Sequence, residues 1–376
     1  MGRIFEDTLS NMSARPLVII TTRLPPQICG IGTHSWLAHK HRPNDSSSGD
    51  FLVMEGAAAS RALLGWDAIT DFNGDPGKLG QALDGAGPAN VLLHYAGRAY
   101  QRFGCPTWIP GVLSKWKAKF PDGRLTVFFH EMPGKLPRLS RHFLIGKINA
   151  RIIRQLAAIA DVLVTNTENH VAILRKLSGR EDIHCIPVGS NIEPTANSSQ
   201  PRMNTEFIIF GLPFGRLQTL QWFDSEIRSW QASRRLATLH LIGPEDDKFT
   251  GQANELMDGW PKPSVAVVHG LLPSAEVSRL FARAQFALTN VTPETWSKSG
   301  AFMACAATGC AAVIKADEMQ FIPLSYAIAA KEVEKISDVE LASRTVSLKA
   351  WYYQNADWAV TAKRLAVLSE TKELAS

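Results

Sequence analysis

The sequence predicts an α/β protein made of two doubly wound, parallel-sheet domains of the Rossmann-like kind. Residues 90–95 and 125–130 are continuous apolar runs, which indicate strands buried on both faces of a parallel sheet. Such runs alternate with helix-length amphipathic segments, which is the order expected of βαβ units. A turn-rich segment without apolar periodicity, residues 189–204, interrupts the alternation, which then begins again.

The amino-terminal domain is predicted over residues 15–188, and residues 1–14 before it are predicted to be a flexible extension. Each strand is a short apolar run, and each helix has apolar residues at helical spacing. The predicted strands are 16–22, 51–55, 90–95, 125–130, 161–165 and 183–188. The predicted helices are 34–39, 57–64, 145–160 and 168–177.

A second domain is predicted over residues 205–345, after the linker at 189–204. Its predicted strands are 206–210, 238–243, 265–269, 286–290 and 311–316. Its predicted helices are 217–232, 249–260, 274–284 and 301–307. The tail, residues 346–376, is predicted to be amphipathic helix that packs back on the amino-terminal domain.

The composition excludes fibrous, disordered and membrane-spanning proteins. The 376 residues are 45% hydrophobic and 20% charged, as in globular proteins. No apolar run approaches the roughly 20 residues that a membrane-spanning helix needs. The five cysteines are odd in number and lack a CxxC spacing, which argues against a disulfide framework or a zinc site. We therefore expect a cytoplasmic protein.

Basic residues are concentrated in one part of the chain. Residues 111–180 contain thirteen lysines and arginines against four acids, within a chain of net charge +5. Residues 138–154 mix bases with large apolar residues at helical spacing, which suits peripheral contact with the anionic inner face of the cytoplasmic membrane. A solvated helix face that covers a sheet explains the same pattern. Nucleic acid is not expected as a partner, because no aromatic or glycine-rich RNA motif accompanies the charge.

The segment 291–309 has the strongest pattern for a ligand site. Residues 297–300, Ser-Lys-Ser-Gly, open a helix that is entirely small or apolar and therefore buried, and Gly309 ends it. A buried helix whose first turn presents backbone N–H groups, hydroxyls and a lysine is suited to bind an anion. An ordinary capped connection between two strands is the alternative.

Gly30 and Gly32 follow the first predicted strand, where glycine permits close backbone approach to a phosphate. Turn glycines without a ligand are the alternative. The spacing is Gly-x-Gly-x-x-Ser, which lacks the third glycine of the dinucleotide fingerprint, so a dehydrogenase is weakly supported.

His94 and His130 each lie at or next to the end of a predicted strand. Open α/β sheets bind ligands at the carboxyl ends of their strands. His130 is therefore a candidate to orient an acceptor hydroxyl or to act as a base, with Glu131 beside it to orient the ring. A hydrogen-bonded histidine at a domain boundary is the alternative. His34 and His39 are five residues apart, do not share a helical face, and do not predict a metal pair.

Five further segments are a first glycine loop at 25–33, a histidine-containing strand end at 129–131, a hinge at 187–192, the first loop of the second domain at 210–216 and a Gly…Glu-Val stretch at 269–278. In this order and spacing they resemble the motifs of the group-1, family-four glycosyltransferases of the GT-B fold. The similarity touches nearly the whole chain. It implies the GT-B architecture, with a carboxy-terminal helix that crosses back and a donor bound between the domains, mainly on the second.

The Glu-x7-Glu motif of that family is degenerate in this chain. Alignment of Gly309 on the family's Ala-Cys-Gly places Trp296 and Ala304 at the two glutamate positions. The resemblance assigns the first glutamate to the donor sugar and the second to the ribose, so both roles are unassigned here. Glu294, two residues before the first position, is the candidate substitute.

The resemblance implies transfer of a hexose from a nucleotide-diphosphate sugar to a glycan or lipid-linked acceptor, with retention of configuration. The chain has no Asp-x-Asp to hold a metal, so we expect no metal and assign the neutralisation of the diphosphate to protein groups. A catalytically degenerate binding or scaffold protein and a nucleotide-sugar epimerase are the alternatives. The catalytic candidates are His130 and Glu131, with His94 on the acceptor side. The donor-binding candidates are Gly30, Gly32, Gly211, Arg216, Glu294, Ser297, Lys298, Ser299 and Gly300.

Overall fold

The computed structural model describes residues 15–43, 49–133, 141–194, 202–260, 265–315 and 321–370. They form two compact units: the first reaches Ile186 and resumes at Ala362, and the second covers Pro187–Thr361. The predicted extension 1–14 and residues 195–201 of the predicted linker lie outside the described residues. Each unit is built on one sheet in which the described strands pair in parallel. The prediction of two parallel-sheet α/β domains is confirmed.

The first unit contains a seven-stranded sheet. Its strands are β1 (Leu17–Thr21), β2 (Gly49–Val53), β3 (Ile69–Asp71), β4 (Asn90–Tyr95), β5 (Arg124–Phe129), β6 (Val162–Thr165) and β7 (Ile183–Cys185). Its helices are α1 (Gly30–Lys40), α2 (Ala57–Leu64), α3 (Pro76–Ala86), α4 (Gly97–Tyr100), α5 (Trp108–Lys119), α6 (Arg141–Ile159) and α7 (Glu168–Ser178). The order β3-β2-β1-β4-β5-β6-β7 reverses direction between β1 and β4. Doubly wound sheets bind ligands at such a reversal, outside the carboxyl ends of the strands.

The second unit repeats the plan with six strands. They are β8 (Met203–Phe210), β9 (Thr238–Ile242), β10 (Val265–Gly270), β11 (Ala284–Leu288), β12 (Ala311–Ile314) and β13 (Ile328–Ala329). The helices are α8 (Pro213–Ala232), α9 (Asp247–Asp258), α10 (Ser274–Arg283), α11 (Gly300–Thr308), α12 (Asp338–Asn355) and α13 (Trp358–Glu370). The order β10-β9-β8-β11-β12-β13 reverses between β8 and β11.

Burial explains why the strands read as continuous apolar runs. Every residue of β1, β4 and β12 is buried, because helices cover both faces of a parallel sheet. Residues 302–308 of α11 are buried as well, so this helix has no polar face. The prediction that the helix opened by residues 297–300 is buried is confirmed.

Several elements differ from the predicted ones. The predictions do not include β3, α3, α4, α5 or β13, and the first of the predicted tail helices begins earlier than residue 346, because α12 starts at Asp338. For α3 a start signal was present in the sequence, because Asp75 caps it and Pro76 takes its first position. The Asp75 carboxylate accepts hydrogen bonds from the backbone N–H groups of Gly77 and Lys78.

The end of α13 belongs to the first unit. There Arg124 donates to the carbonyl of Leu368 at 3.0 Å, and Arg42 forms an ion pair with Glu370. Across the described ranges, no helix is both long and apolar enough to cross a membrane.

Candidate functional site

Three histidines meet where the strand order of the first unit reverses. His34 lies on α1, the helix that follows β1, whereas His94 lies in β4 and His130 directly follows β5. The register pairs His94 with Phe128, and the backbone N–H of His130 extends the pairing by a bond to Tyr95. The relative exposures are 5% for His34, 0% for His94 and 8% for His130. The three side chains therefore form one buried cluster, which we call the histidine cluster.

The rings of the histidine cluster are in direct contact. His94 Nδ1 and His130 Nε2 are 3.0 Å apart and form a hydrogen bond. The ring centroid of His34 lies 5.5 Å from that of His94 and 5.0 Å from that of His130. Phe128 stacks on His130 at 4.4 Å.

Burial sets the protonation of the histidine cluster. Desolvation lowers the pKa of His34 to about 3, and it lowers the pKa values of His94 and His130 well below the ordinary range. All three imidazoles are therefore neutral at pH 7, and a neutral imidazole has one nitrogen that can accept a hydrogen bond or a proton or bind a metal ion.

His94 and His130 lie at or next to strand ends, as predicted, whereas His34 is not among the predicted site residues. His34 and Ala38 are four residues apart on the buried face of α1, a spacing that indicates burial of His34 but not its contact with His94. His39, the predicted non-partner of His34, packs elsewhere, with its ring 4.8 Å from that of Trp66. Glu131 is exposed, and His130 has His94 as its described hydrogen-bond partner instead.

Gly30 and Gly32 differ in what surrounds them. A Cβ atom on Gly32 would lie 1.4 Å from the carbonyl oxygen of Arg23, so α1 can pack on this loop only with glycine there. A Cβ atom on Gly30 would have no described atom within 4 Å. Cys29 caps the helix, and its Sγ accepts from the N–H of Gly32 at 3.4 Å. The close packing of α1 on Arg23 therefore explains the glycine at position 32. The space beside Gly30 holds no described atom, so packing does not explain the glycine there.

In the second unit, three neighbouring strands end in glycines at the corresponding edge of the sheet. Gly211, Gly243 and Gly270 follow or close β8, β9 and β10, and all have positive φ. The N–H of Gly211 donates to Ile242 at 3.1 Å, and that of Gly243 donates to Gly270 at 3.0 Å. A Cβ atom on Gly243 would lie 2.0 Å from the Gly211 carbonyl oxygen. These glycines leave the carboxyl edge of the sheet lined by backbone atoms.

The start of α11 lies on the other side of the reversal between β8 and β11. Ser299 is its N-cap, and the hydroxyl accepts from the N–H of Phe302 at 3.2 Å. Ser297 is buried, and its carbonyl accepts from the N–H of Val188 at 2.9 Å. Lys298 is exposed. The first N–H groups of a helix have no backbone partner within it, so this helix start combines such donors with a lysine that forms no ion pair among the described residues.

The loop before α11 is ordered by its own side chains. Thr292 donates from its N–H to the hydroxyl of Thr295 at 2.9 Å and from its hydroxyl to Glu294 at 2.7 Å. Glu294 is exposed, and the hydrogen bond from Thr292 lowers its pKa. Glu294 is thus available at the surface of this loop.

The two degenerate motif positions are part of the core. The ring of Trp296 packs 5.4 Å from that of Trp351 and 6.2 Å from that of Phe302. Ala304 has no exposed surface and belongs to the core beneath α11. Packing residues therefore occupy both places that the resemblance reserves for glutamates.

The side chain of Arg216 is fully buried, and its guanidinium contacts residues that follow β9. Its guanidinium pairs with Glu245 at 2.9 Å and donates to the carbonyl of Pro244. It also lies over the ring of Phe249, 4.0 Å from the centroid. Burial lowers the pKa of Arg216, and the bond to Glu245 opposes that shift. In this conformation Arg216 holds together the loops after β8 and β9.

No family model and no curated protein matches the sequence, but solved structures share the fold. A glycosyltransferase from Rickettsia africae ESF-5 has a TM-score of 0.67 at 10% identity, with 95% of this chain and 98% of that chain covered. The N-terminal domain of Candida albicans trehalose-6-phosphate phosphatase has a TM-score of 0.64 at 14% identity, with 96% and 98% covered. An alpha-glucosyltransferase in complex with UDP and a 13-mer DNA containing an HMU base has a TM-score of 0.62 at 11% identity, with 96% and 100% covered. These likenesses confirm the predicted GT-B fold.

Proposed function

We propose that this GT-B chain is a glycosyltransferase that takes a hexose from a nucleotide-diphosphate sugar. The observation that carries the proposal is the start of α11, where an exposed Lys298 stands beside a serine-capped helix N-terminus at the reversal of the second sheet. Helix N-termini and lysines stabilise phosphate anions. The fold neighbours, one of which is in complex with UDP, support the same class of donor.

In this proposal the donor diphosphate is neutralised without a metal. The chain has no Asp-x-Asp, and preorganised protein donors can carry the charge of a leaving group. Lys298, the first N–H groups of α11 and the glycine-lined end of β8 are the groups we assign to it. Arg216 is not among them, because its guanidinium is occupied by Glu245.

We assign the acceptor to the first unit, where His130 orients the acceptor hydroxyl or receives its proton. Burial keeps His130 neutral and makes it a weak base, so its surroundings favour orientation of the hydroxyl over uptake of its proton. Its bond to His94 fixes the ring. Retention of configuration follows from the resemblance alone and is part of the proposal.

We further propose that the acceptor is a glycan or a lipid-linked molecule reached at a membrane surface. The exposed face of α6 presents Lys147, Arg151 and Arg154 together with Leu144 and Ile148, which are 64% and 38% exposed. A face that mixes cations with apolar side chains suits an anionic lipid surface. Co-sedimentation with phosphatidylserine vesicles, but not with phosphatidylcholine vesicles, is expected. A duplex DNA of equal charge that removes the protein from the vesicles would instead indicate nucleic acid as the partner.

A binding or scaffold protein is the second candidate, favoured by one observation. Trp296 and Ala304 fill the positions of both family glutamates with core residues. Glu294 is the carboxylate that remains available to the sugar. Slow hydrolysis of the donor sugar by wild-type protein and its loss in Glu294→Gln would support the enzyme over the scaffold.

The first experiment is a thermal-shift screen against UDP, GDP and ADP and their sugars, with and without EDTA. A ligand of the folded state stabilises it by about 2.7 kcal/mol at a hundredfold excess over its Kd. We expect one nucleotide to raise the Tm, with a rise that survives EDTA and falls to about half in Lys298→Ala.

The matched control is Lys78→Ala, which removes an exposed lysine from the first turn of α3 in the first unit. It should retain the nucleotide-dependent rise. No rise with any nucleotide, from protein that melts cooperatively, would contradict the transferase.

A further inference from the structure

We propose that His34, His94 and His130 bind one divalent transition-metal ion, for which zinc is the best-suited element. This site is in the first unit and goes beyond the proposed sugar transfer. An ion there would occupy the lone pair of His130, so the open position of the ion would replace His130 as the group that meets an acceptor hydroxyl.

The placement of the histidine cluster is that of a ligand site. The three residues come from α1, β4 and the end of β5, which are distant in sequence and meet at the reversal of the strand order. Doubly wound sheets place ligands at this point. Each side chain is more than nine-tenths buried, so the rings are held by the surrounding core.

The distances match those of ligands on a single ion. Each imidazole offers one nitrogen, and these three nitrogens lie within 4.8 Å of one another. A tetrahedral ion with bonds of about 2.0–2.1 Å requires nitrogen separations of about 3.3 Å, and His94 Nδ1 and His130 Nε2 are already 3.0 Å apart. The ring centroids are separated by 5.5, 5.0 and 5.2 Å. The same tetrahedral geometry puts ring centroids about 5 Å apart, so small ring rotations suffice.

The ligand chemistry selects the class of ion. Neutral imidazole nitrogens suit zinc, cobalt, nickel and copper, whereas magnesium and calcium take oxygen ligands. The one such group found in the described part of the chain consists of histidines alone. An imidazole binds a metal ion in its neutral form. Three protein ligands leave a fourth position for water or for a substrate oxygen.

Packing alone is the competing explanation for the histidine cluster. Phe128 stacks on His130 at 4.4 Å and contacts the ring of His34 at 5.0 Å, and a hydrogen bond joins His94 to His130. An ion held by His94 Nδ1 leaves His94 Nε2 as buried and as unpartnered among the described residues as packing does, so that atom does not separate the two explanations. Packing alone predicts that the protein takes up no metal.

The test uses the full-length chain, purified without a polyhistidine tag and stripped of metal with EDTA. Zinc sulfate is titrated calorimetrically, and the metal content is then measured by mass spectrometry after desalting. We expect about one zinc per chain, a higher Tm with zinc than with EDTA, and, with cobalt chloride, the intense visible absorption of tetrahedral cobalt.

Three variants separate the cluster from other histidines. His94→Asn and His34→Gln should each lower the zinc affinity at least tenfold and abolish the cobalt spectrum. His269→Asn is the matched control, because His269 forms a two-histidine contact with His240 at 2.9 Å in the second unit. It should bind zinc as the wild type does.

Folded wild-type protein that takes up neither zinc nor cobalt would overturn the proposal, as would undiminished zinc binding by His94→Asn. If His94→Asn fails to fold, His34→Gln decides, with folding verified by circular dichroism. The nucleotide-dependent rise in Tm reports on the second unit. Wild-type protein that takes up no zinc but shows that rise therefore contradicts the metal site and leaves the proposed transferase intact.

Discussion

The strand order reverses in the same way in both units, but the side chains at the two reversals differ in burial and in charge. In the first, three buried and neutral imidazoles meet between β1 and β4. In the second, an exposed lysine and a capped helix start stand beside a glycine-lined edge between β8 and β11. The topology therefore determines where a site lies, and the side chains determine what it can bind. The imidazoles of the first unit suit a metal ion or a proton, and the lysine and helix start of the second unit suit an anion.

Glycine-to-alanine substitutions near the two reversals are the first test of this comparison. Gly32→Ala should destabilise the protein by about 3 kcal/mol, because the new Cβ atom meets the Arg23 carbonyl. Gly211→Ala should cost about 1–2 kcal/mol for a different reason: a Cβ atom there has open space, but φ is 142°. Urea denaturation gives both values.

Gly30→Ala is the control for the first unit, since its Cβ atom meets no described atom within 4 Å. It should change the free energy of unfolding by less than about 1 kcal/mol. Equal midpoints for Gly30→Ala and Gly32→Ala would show that α1 does not pack on Arg23 as described.

Substitutions of two cations of the second unit should have different effects, one on the free energy of unfolding and the other on the nucleotide affinity. Arg216→Met breaks a buried pair with Glu245, which is partly exposed, and should cost about 2 kcal/mol of stability. It should leave the nucleotide affinity within about twofold. Lys298→Ala should do the reverse, with an unchanged Tm and an affinity for the nucleotide lowered about tenfold.

The measurement is the free energy of unfolding and the nucleotide Kd for each variant. A large loss of nucleotide affinity in Arg216→Met, at temperatures where the variant remains folded, would show that Arg216 contributes to the donor site. Unaltered affinity in Lys298→Ala would remove the start of α11 from the proposal.

The smallest expected effect concerns His39, which lies on α1 outside the histidine cluster. Burial, and then the charge of Arg42, lowers its pKa to about 4. The unfolded chain therefore binds a proton below about pH 6.5 that the folded chain does not, so stability falls as the pH falls toward 4. Between pH 7 and 5.5, wild-type protein should lose about 1 kcal/mol more than His39→Gln. Parallel pH profiles for the two proteins would contradict the buried, neutral state of His39.

The fold could be predicted where burial imposes a pattern. Strands such as β4 and β12 are buried throughout and read as apolar runs. The strand β3 has three residues, too few for any period to emerge. The helix α3 has a cap and a proline at its start, but glycines within it weaken the helical pattern.

The site could be predicted where it is local in the chain. The cap of α11 is a short-range feature, and Ser299 occupies it as expected. His34 lies close to His94 because of the order of the strands in the sheet, and residue spacing along the chain does not reveal that order. Arg216 is close in sequence to Gly211, yet its guanidinium is held by Glu245 from the next strand end.

The packing of Trp296 and Ala304 limits how this chain could evolve. A glutamate at position 304 would place a carboxylate in a core with no exposed surface, which is costly without a partner. A glutamate at position 296 would forfeit the aromatic contacts with Trp351 and Phe302. Neither glutamate can therefore be introduced by one tolerated substitution. The donor site proposed above thus depends on groups other than that pair of carboxylates.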